Sequence, residues 1–75
     1  MYLRRVYDLR EDRDYTQKKV AEYLGIHPIV YRRYEKGNRS FPLEHIIKLA
    51  DFYHVSTDYL LGRTDDPTPP HPGKP

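Results

Sequence analysis

Cysteine is missing from this 75-residue chain. Its absence rules out a disulfide framework and a thiolate metal site, and fits a reducing interior. Long apolar runs are missing too: none approaches the roughly 20 residues that span a bilayer. The opening residues, MYLRRVYDLR, lack the apolar stretch of a signal peptide. A soluble, cytoplasmic protein is therefore expected. No nucleophile–base pair and no carboxylate pair stands at a usable spacing, so no enzyme is expected. His45 and His54 lie nine apart with no further donor at ligand spacing, so neither a metal nor a cofactor is expected. At this length the chain is one small domain with a thin stability margin.

What is present is charge, unevenly spread. The net charge is only +2, but residues 1–40 carry +4 and residues 41–75 carry −2. The positive excess is densest between Arg32 and Arg39, where Arg32, Arg33, Lys36 and Arg39 face Glu35 alone. A charge run can be a solvated helix face. It can also be an anion-binding surface, and nucleic acid is the commonest large anion.

Apolar residues recur at helical spacing, and no segment reads as a strand. Leu3, Val6 and Leu9 predict a helix over about 2–13, closed by Asp14, which tolerates a left-handed turn. Thr16 caps a second helix with Val20, Ala21 and Leu24 on its apolar face, and Gly25 stops it. A third helix starts at His27 or Pro28, since proline suits a first helical position, and ends at Gly37. Pro42 opens a fourth helix with the stripe Leu43, Ile46, Ile47, Leu49 and Ala50. Ser56 caps a short fifth helix carrying Tyr59, Leu60 and Leu61.

The fold class is thus all-α, a compact five-helix bundle over residues 1–63. Its expected core is Leu3, Val6, Leu9, Val20, Ala21, Leu24, Ile26, Tyr31, Tyr34, Leu43, Ile46, Leu49, Ala50, Val55, Leu60 and Leu61. Residues 64–75, ending PTPPHPGKP, read as a Pro-rich disordered tail.

Helices two and three are separated by Gly25, Ile26 and His27 only, the spacing of a helix-turn-helix. With Val30, Tyr31 and Tyr34 turned inward, the 3.6-residue period puts Pro28, Ile29, Arg32, Arg33 and Lys36 outward. The eight tyrosines suggest a stacking platform for single strands. Tyr31 and Tyr34 are expected inside, however, and Tyr2, Tyr7, Tyr23 and Tyr53, expected outside, are too scattered to form one.

The segments LREDRDYTQ, TQKKVAEYLGI and YRRYEKGNRSFPLEHIIKLADFYHVSTDYLLG resemble the Cro/repressor type of helix-turn-helix domain, also called lambda-repressor-like or Xre-type. The likeness covers about residues 3–63 and rests on motifs in combination: T-Q…A…L-G-I, then Y-E-x-G, L-x-x-I-x-K-L-A-D and V-S-x-D-Y-L-L-G. It implies a transcriptional regulator, most simply a repressor, that lays its third helix (28–36) in the major groove of double-stranded DNA as a homodimer. By the same resemblance Ile29, Arg32 and Arg33 would read base edges. Gln17, Lys18, His27, Lys36, Asn38, Arg39 and Ser40 would meet the phosphate backbone. Arg10 and Glu35 would form a structural ion pair.

The chain departs from the family pattern at His27, where Ser, Thr or Asn is usual, and at Pro28 and Ile29, where polar readers are usual. Lys18 and Lys19 replace acidic residues, which forgoes a capping box and opposes the helix dipole. The alternative function is a protein-interaction or antitoxin-like module on the same fold with weak or no DNA binding. The apolar end around Phe52, Tyr53, Tyr59 and Leu61 is the expected dimer surface.

Overall fold

A computed structural model describes residues 2–69. It contains five helices: α1 (Arg4–Asp12), α2 (Gln17–Leu24), α3 (Pro28–Glu35), α4 (Leu43–Tyr53) and α5 (Thr57–Leu60). No strand occurs among the described residues. None of the helices is long and apolar enough to cross a membrane. Helix α1 begins at Arg4, two residues later than expected, because Leu3 turns into the core and offers no side-chain cap.

One device ends every helix. Asp14, Gly25, Gly37, His54 and Gly62 each adopt a left-handed backbone with φ between 55° and 83°. The residue after each donates its N–H to a carbonyl five residues back: Tyr15 to Arg10, Ile26 to Ala21, Asn38 to Arg33, Val55 to Ala50, Arg63 to Asp58. This satisfies carbonyls that a helix end leaves unpaired. The identity of that following residue steers the chain. Tyr15, Ile26 and Val55 turn back onto the core, whereas Asn38 and Arg63 lead out into solvent.

The interior is filled chiefly by Val6, Val20, Tyr31, Leu49, Tyr53 and Leu60, all fully buried. Two expectations about the core are corrected. Leu43 is 70% exposed and Leu61 36% exposed. A helical side chain leans toward the N-terminus of its helix. Leu43, the first residue of α4, therefore reaches past the packed end. Phe41, one residue before the Pro42 cap, fills that end instead, 6.1 Å from the Tyr31 ring and 5.2 Å from the Tyr34 ring. Leu61 stands just past the last turn of the four-residue α5. On α4 the inward stripe is Ile46, Leu49, Ala50 and Tyr53, and Ile47 turns outward.

Tyr53 drops out of the expected dimer surface, for only 1% of it is exposed. It lies one turn beyond Leu49 and Ala50, and it packs against Tyr15 at 6.4 Å and Phe52 at 5.0 Å. Tyr59 is covered by the Arg5 guanidinium, 4.1 Å above its ring. The same guanidinium donates to the carbonyls of Tyr59 and Thr64 and to the Asp65 carboxylate at 2.6 Å. Together with Ser56 N–H on the Pro67 carbonyl, 3.1 Å, this holds residues 64–67 against α5. Residues 70–75 of the expected tail lie outside the described residues.

Candidate nucleic-acid interface

Helices α2 and α3 are packed as a pair. Thr16 Oγ1 accepts from Lys19 N–H, 3.0 Å, to start α2. The backbone N–H groups of Gln17 and Lys18 find no protein acceptor among the described residues. At α3 the unusual cap functions: His27 Nδ1 accepts from Ile29 N–H at 3.1 Å. An accepting Nδ1 places the ring proton on Nε2, so that edge of the exposed imidazole is a donor. Pro28 follows at the first helical position, where its missing N–H costs nothing.

A buried network fixes the pose of α3. Glu35, its last residue, is 4% exposed. Arg10 from α1 grips it with two bonds, Nε to Oε2 at 2.8 Å and Nη2 to Oε1 at 3.1 Å. Tyr31 donates to Oε2 at 2.6 Å and the Gln17 amide to Oε1 at 3.1 Å. Arg10 also donates to the Tyr15 carbonyl at 2.8 Å.

Burial alone would push the Glu35 carboxyl up. The hydrogen bonds from Arg10, Tyr31 and Gln17 outweigh it and hold the group below the ordinary carboxylate value. Burial, reinforced by the bond to Glu35, pushes the Tyr31 hydroxyl far above its ordinary value. One carboxylate thus joins α1, α2 and α3.

Gln17, expected on a phosphate, is half-buried and donates one amide N–H to Glu35. Tyr31 and Gln17 as members of this network were missed in the sequence. The i,i+4 spacing of Tyr31 and Glu35 was the available signal for the first. Gln17 carried none, because its contact depends on how α2 crosses α3.

With Tyr31 inside, Ile29, Arg32, Arg33 and Lys36 are exposed, and with Asn38 they line one shallow concavity. Arg39 and Ser40 are exposed in the loop beyond, and Lys18 is exposed at the start of α2. Lys19 lies with its ammonium 5.0 Å from the Tyr15 ring.

The arginines divide by location. Arg4 pairs with Asp8, Arg5 with Asp65, Arg10 with Glu35 and Arg63 with Asp58, while Arg13 lies over the Tyr53 ring. Arg32, Arg33 and Arg39 make no ion pair, side-chain hydrogen bond or ring contact among the described residues, and neither do Lys18 and Lys36. Among the described residues, the cations without such a partner are concentrated on and beside α3, with Lys48 on α4 the exception. No cluster of three acidic or histidine side chains that could hold a metal occurs among the described residues.

Residues 6–60 match the helix-turn-helix family profile. The chain belongs to that family. It is 42% identical over 69 residues to an HTH-type transcriptional regulator of Bacillus subtilis, YobD, covering 92% of this chain and 62% of that protein. To the Bacillus subtilis regulator ImmR it is 39% identical over 62 residues, 83% of this chain and 49% of the relative. To the cryptic phage CTXphi transcriptional repressor RstR of Vibrio cholerae it is 44% identical over 65 residues, 87% of this chain and 59% of the relative. The chain thus spans between 49% and 62% of the length of these helix-turn-helix relatives. No solved structure gives a significant match.

Proposed function

We propose that this helix-turn-helix chain binds double-stranded DNA sequence-specifically, in the cytoplasm, and acts as a transcriptional repressor. The observation that carries the reading is the set of unneutralised cations on and beside α3. Clustered exposed cations create a positive potential that attracts a large anion. The likeness to RstR, named a repressor, supports the sign of regulation. A major groove admits one α-helix, and arginine pairs bidentately with guanine O6 and N7. In this reading Arg32 and Arg33 read guanine edges. Lys18, His27 Nε2–H, Lys36, Asn38, Arg39 and Ser40 hold phosphates and set the register. Gln17 contributes its backbone N–H at the start of α2 in place of its side chain.

One module this small makes few contacts, so tight binding calls for a homodimer on half-sites about one helical turn apart. Leu43 and Ile47, exposed one turn apart on α4, replace the buried Tyr53 region as its contact surface.

Selection of an operator from a random DNA library, followed by titration of two variants, tests the reading. Arg33→Ala is expected to cost about 1–3 kcal/mol and to relax preference at one base pair. Arg39→Ala is expected to weaken all sequences alike and to flatten the salt dependence by about one phosphate contact. Pro28 and Ile29, which remove polar readers from the front of α3, favour the protein-interaction alternative. That alternative requires binding that barely responds to salt, and equal affinity of both variants for the operator would support it.

A further inference from the structure

The front of α3 contains an isoleucine where a groove-docked helix would place a reader. Ile29 is 56% exposed and adds little to the core. Its position is nonetheless well defined: its own N–H is held by His27 Nδ1, and it follows the rigid Pro28 in the first turn. A β-branched side chain in a helix keeps one strongly preferred χ1 rotamer. Ile29 is thus a fixed aliphatic probe.

Its neighbours define what it can read. The other outward side chains of α3 are Pro28, Arg32, Arg33 and Lys36, none of which accepts a hydrogen bond. The Gln17 amide, at the start of α2, donates to Glu35. Asn38 lies beyond the far end of the helix, in the loop. The only apolar group that the major-groove edges of the four bases present is the 5-methyl of thymine. Ile29 and Arg33 are one turn apart, about 6 Å along the axis. With bases stacked about 3.4 Å apart, the two residues are about two base-pair steps apart along a helix that follows the groove.

We propose that Ile29 is a 5-methylpyrimidine reader, seated on a thymine methyl in a half-site that also places a guanine within reach of Arg32 or Arg33. This rests on the DNA-binding reading above. The specificity lies in the methyl, so thymine and 5-methylcytosine are accepted there while uracil and cytosine are discriminated against.

The test uses the full chain and an operator selected from a random library, with each thymine replaced in turn by deoxyuridine. Replacement at one half-site thymine is expected to raise Kd about threefold to tenfold, the worth of one buried methyl group. Putting cytosine at that position weakens binding, and 5-methylcytosine there regains the same factor. Ile29→Ala binds the thymine and uracil operators alike, and Ile29→Val retains part of the difference. Unchanged thermal melting of both variants confirms that the fold is intact. An operator that binds tightly and tolerates deoxyuridine at every thymine overturns the proposal. So does an Ile29→Ala variant that keeps the full methyl dependence. Failure to enrich any operator overturns the DNA-binding reading itself, and this inference with it.

Discussion

Left-handed helix ends pull single residues in opposite directions. Gly37 has φ +83°, and a Cβ built there would lie 3.1 Å from Tyr2 Cβ and 3.2 Å from Tyr2 Cα. Gly37→Ala therefore meets both backbone strain and a neighbour whose main chain must yield, and is expected to destabilise by about 1–3 kcal/mol. His54 presents the reverse case, a side-chain-bearing residue held at φ +56°. His54→Gly is expected to stabilise by about 0.5–1 kcal/mol, since the left-handed penalty exceeds the added chain entropy. Urea unfolding of both variants checks the pair; a stabilised Gly37→Ala or a destabilised His54→Gly would refute the strain argument. The first ending is legible in the sequence because glycine announces it. Asp14 is legible for a related reason, its tolerance of the same conformation. At His54 the residue type gives a fainter signal than glycine or aspartate, and the helix ends there as Val55 returns to the core.

Among the elements, α3 depends most on what its neighbours donate. Of its buried carboxylate's partners, Arg10 was expected from the family resemblance, whereas the Gln17 contact depends on an interhelical angle that no local pattern encodes. Arg10→Met leaves Glu35 buried and charged, a loss expected to cost about 3–5 kcal/mol at neutral pH. In the parent protein Glu35 titrates below its unfolded value. Its contribution is therefore present above about pH 4.5 and is lost as pH falls through the lower folded value. In Arg10→Met the carboxyl has lost its main stabilising donor, so protonation relieves it. The gap between variant and parent should narrow as pH drops below about 4.5. Chemical denaturation at pH 7 and pH 4 measures it, and a gap that is constant or grows in acid would rule out the network as its source. Tyr31→Phe, which removes one donor and keeps the ring, serves as the milder form if Arg10→Met fails to fold.

At the scale of the whole molecule, two tyrosines set the alkaline limit of the fold. Tyr31 and Tyr53 are fully buried, and burial, followed by the negative Glu35, raises both hydroxyls far above their ordinary value. Arg10 and Arg13 face Tyr53 and oppose the shift without cancelling it. A raised folded pKa stabilises fully below the unfolded value of about 10 and is lost as pH rises above it. The domain is therefore expected to hold its stability to about pH 10 and to unfold progressively beyond.

The two hydroxyls differ in what they contribute below that limit. Tyr31 donates to Glu35, but Tyr53 Oη is buried with no hydrogen-bond partner among the described residues. Tyr53→Phe keeps the ring packing on Tyr15 and Phe52 and removes an unsatisfied polar atom, so it should stabilise by about 1 kcal/mol at pH 7. For a domain of this size that is about 4–8 °C in Tm. It should also blunt the alkaline decline, because one of the two groups that must stay neutral is gone. Tyr31→Phe should soften the same decline yet lower stability at pH 7, having lost a bond that Tyr53 never made. Thermal melts by circular dichroism from pH 7 to pH 11 separate the two. A destabilised Tyr53→Phe at pH 7 would mean that its hydroxyl holds an internal water or an exchanging partner, and that it belongs with the Glu35 network rather than with the apolar core.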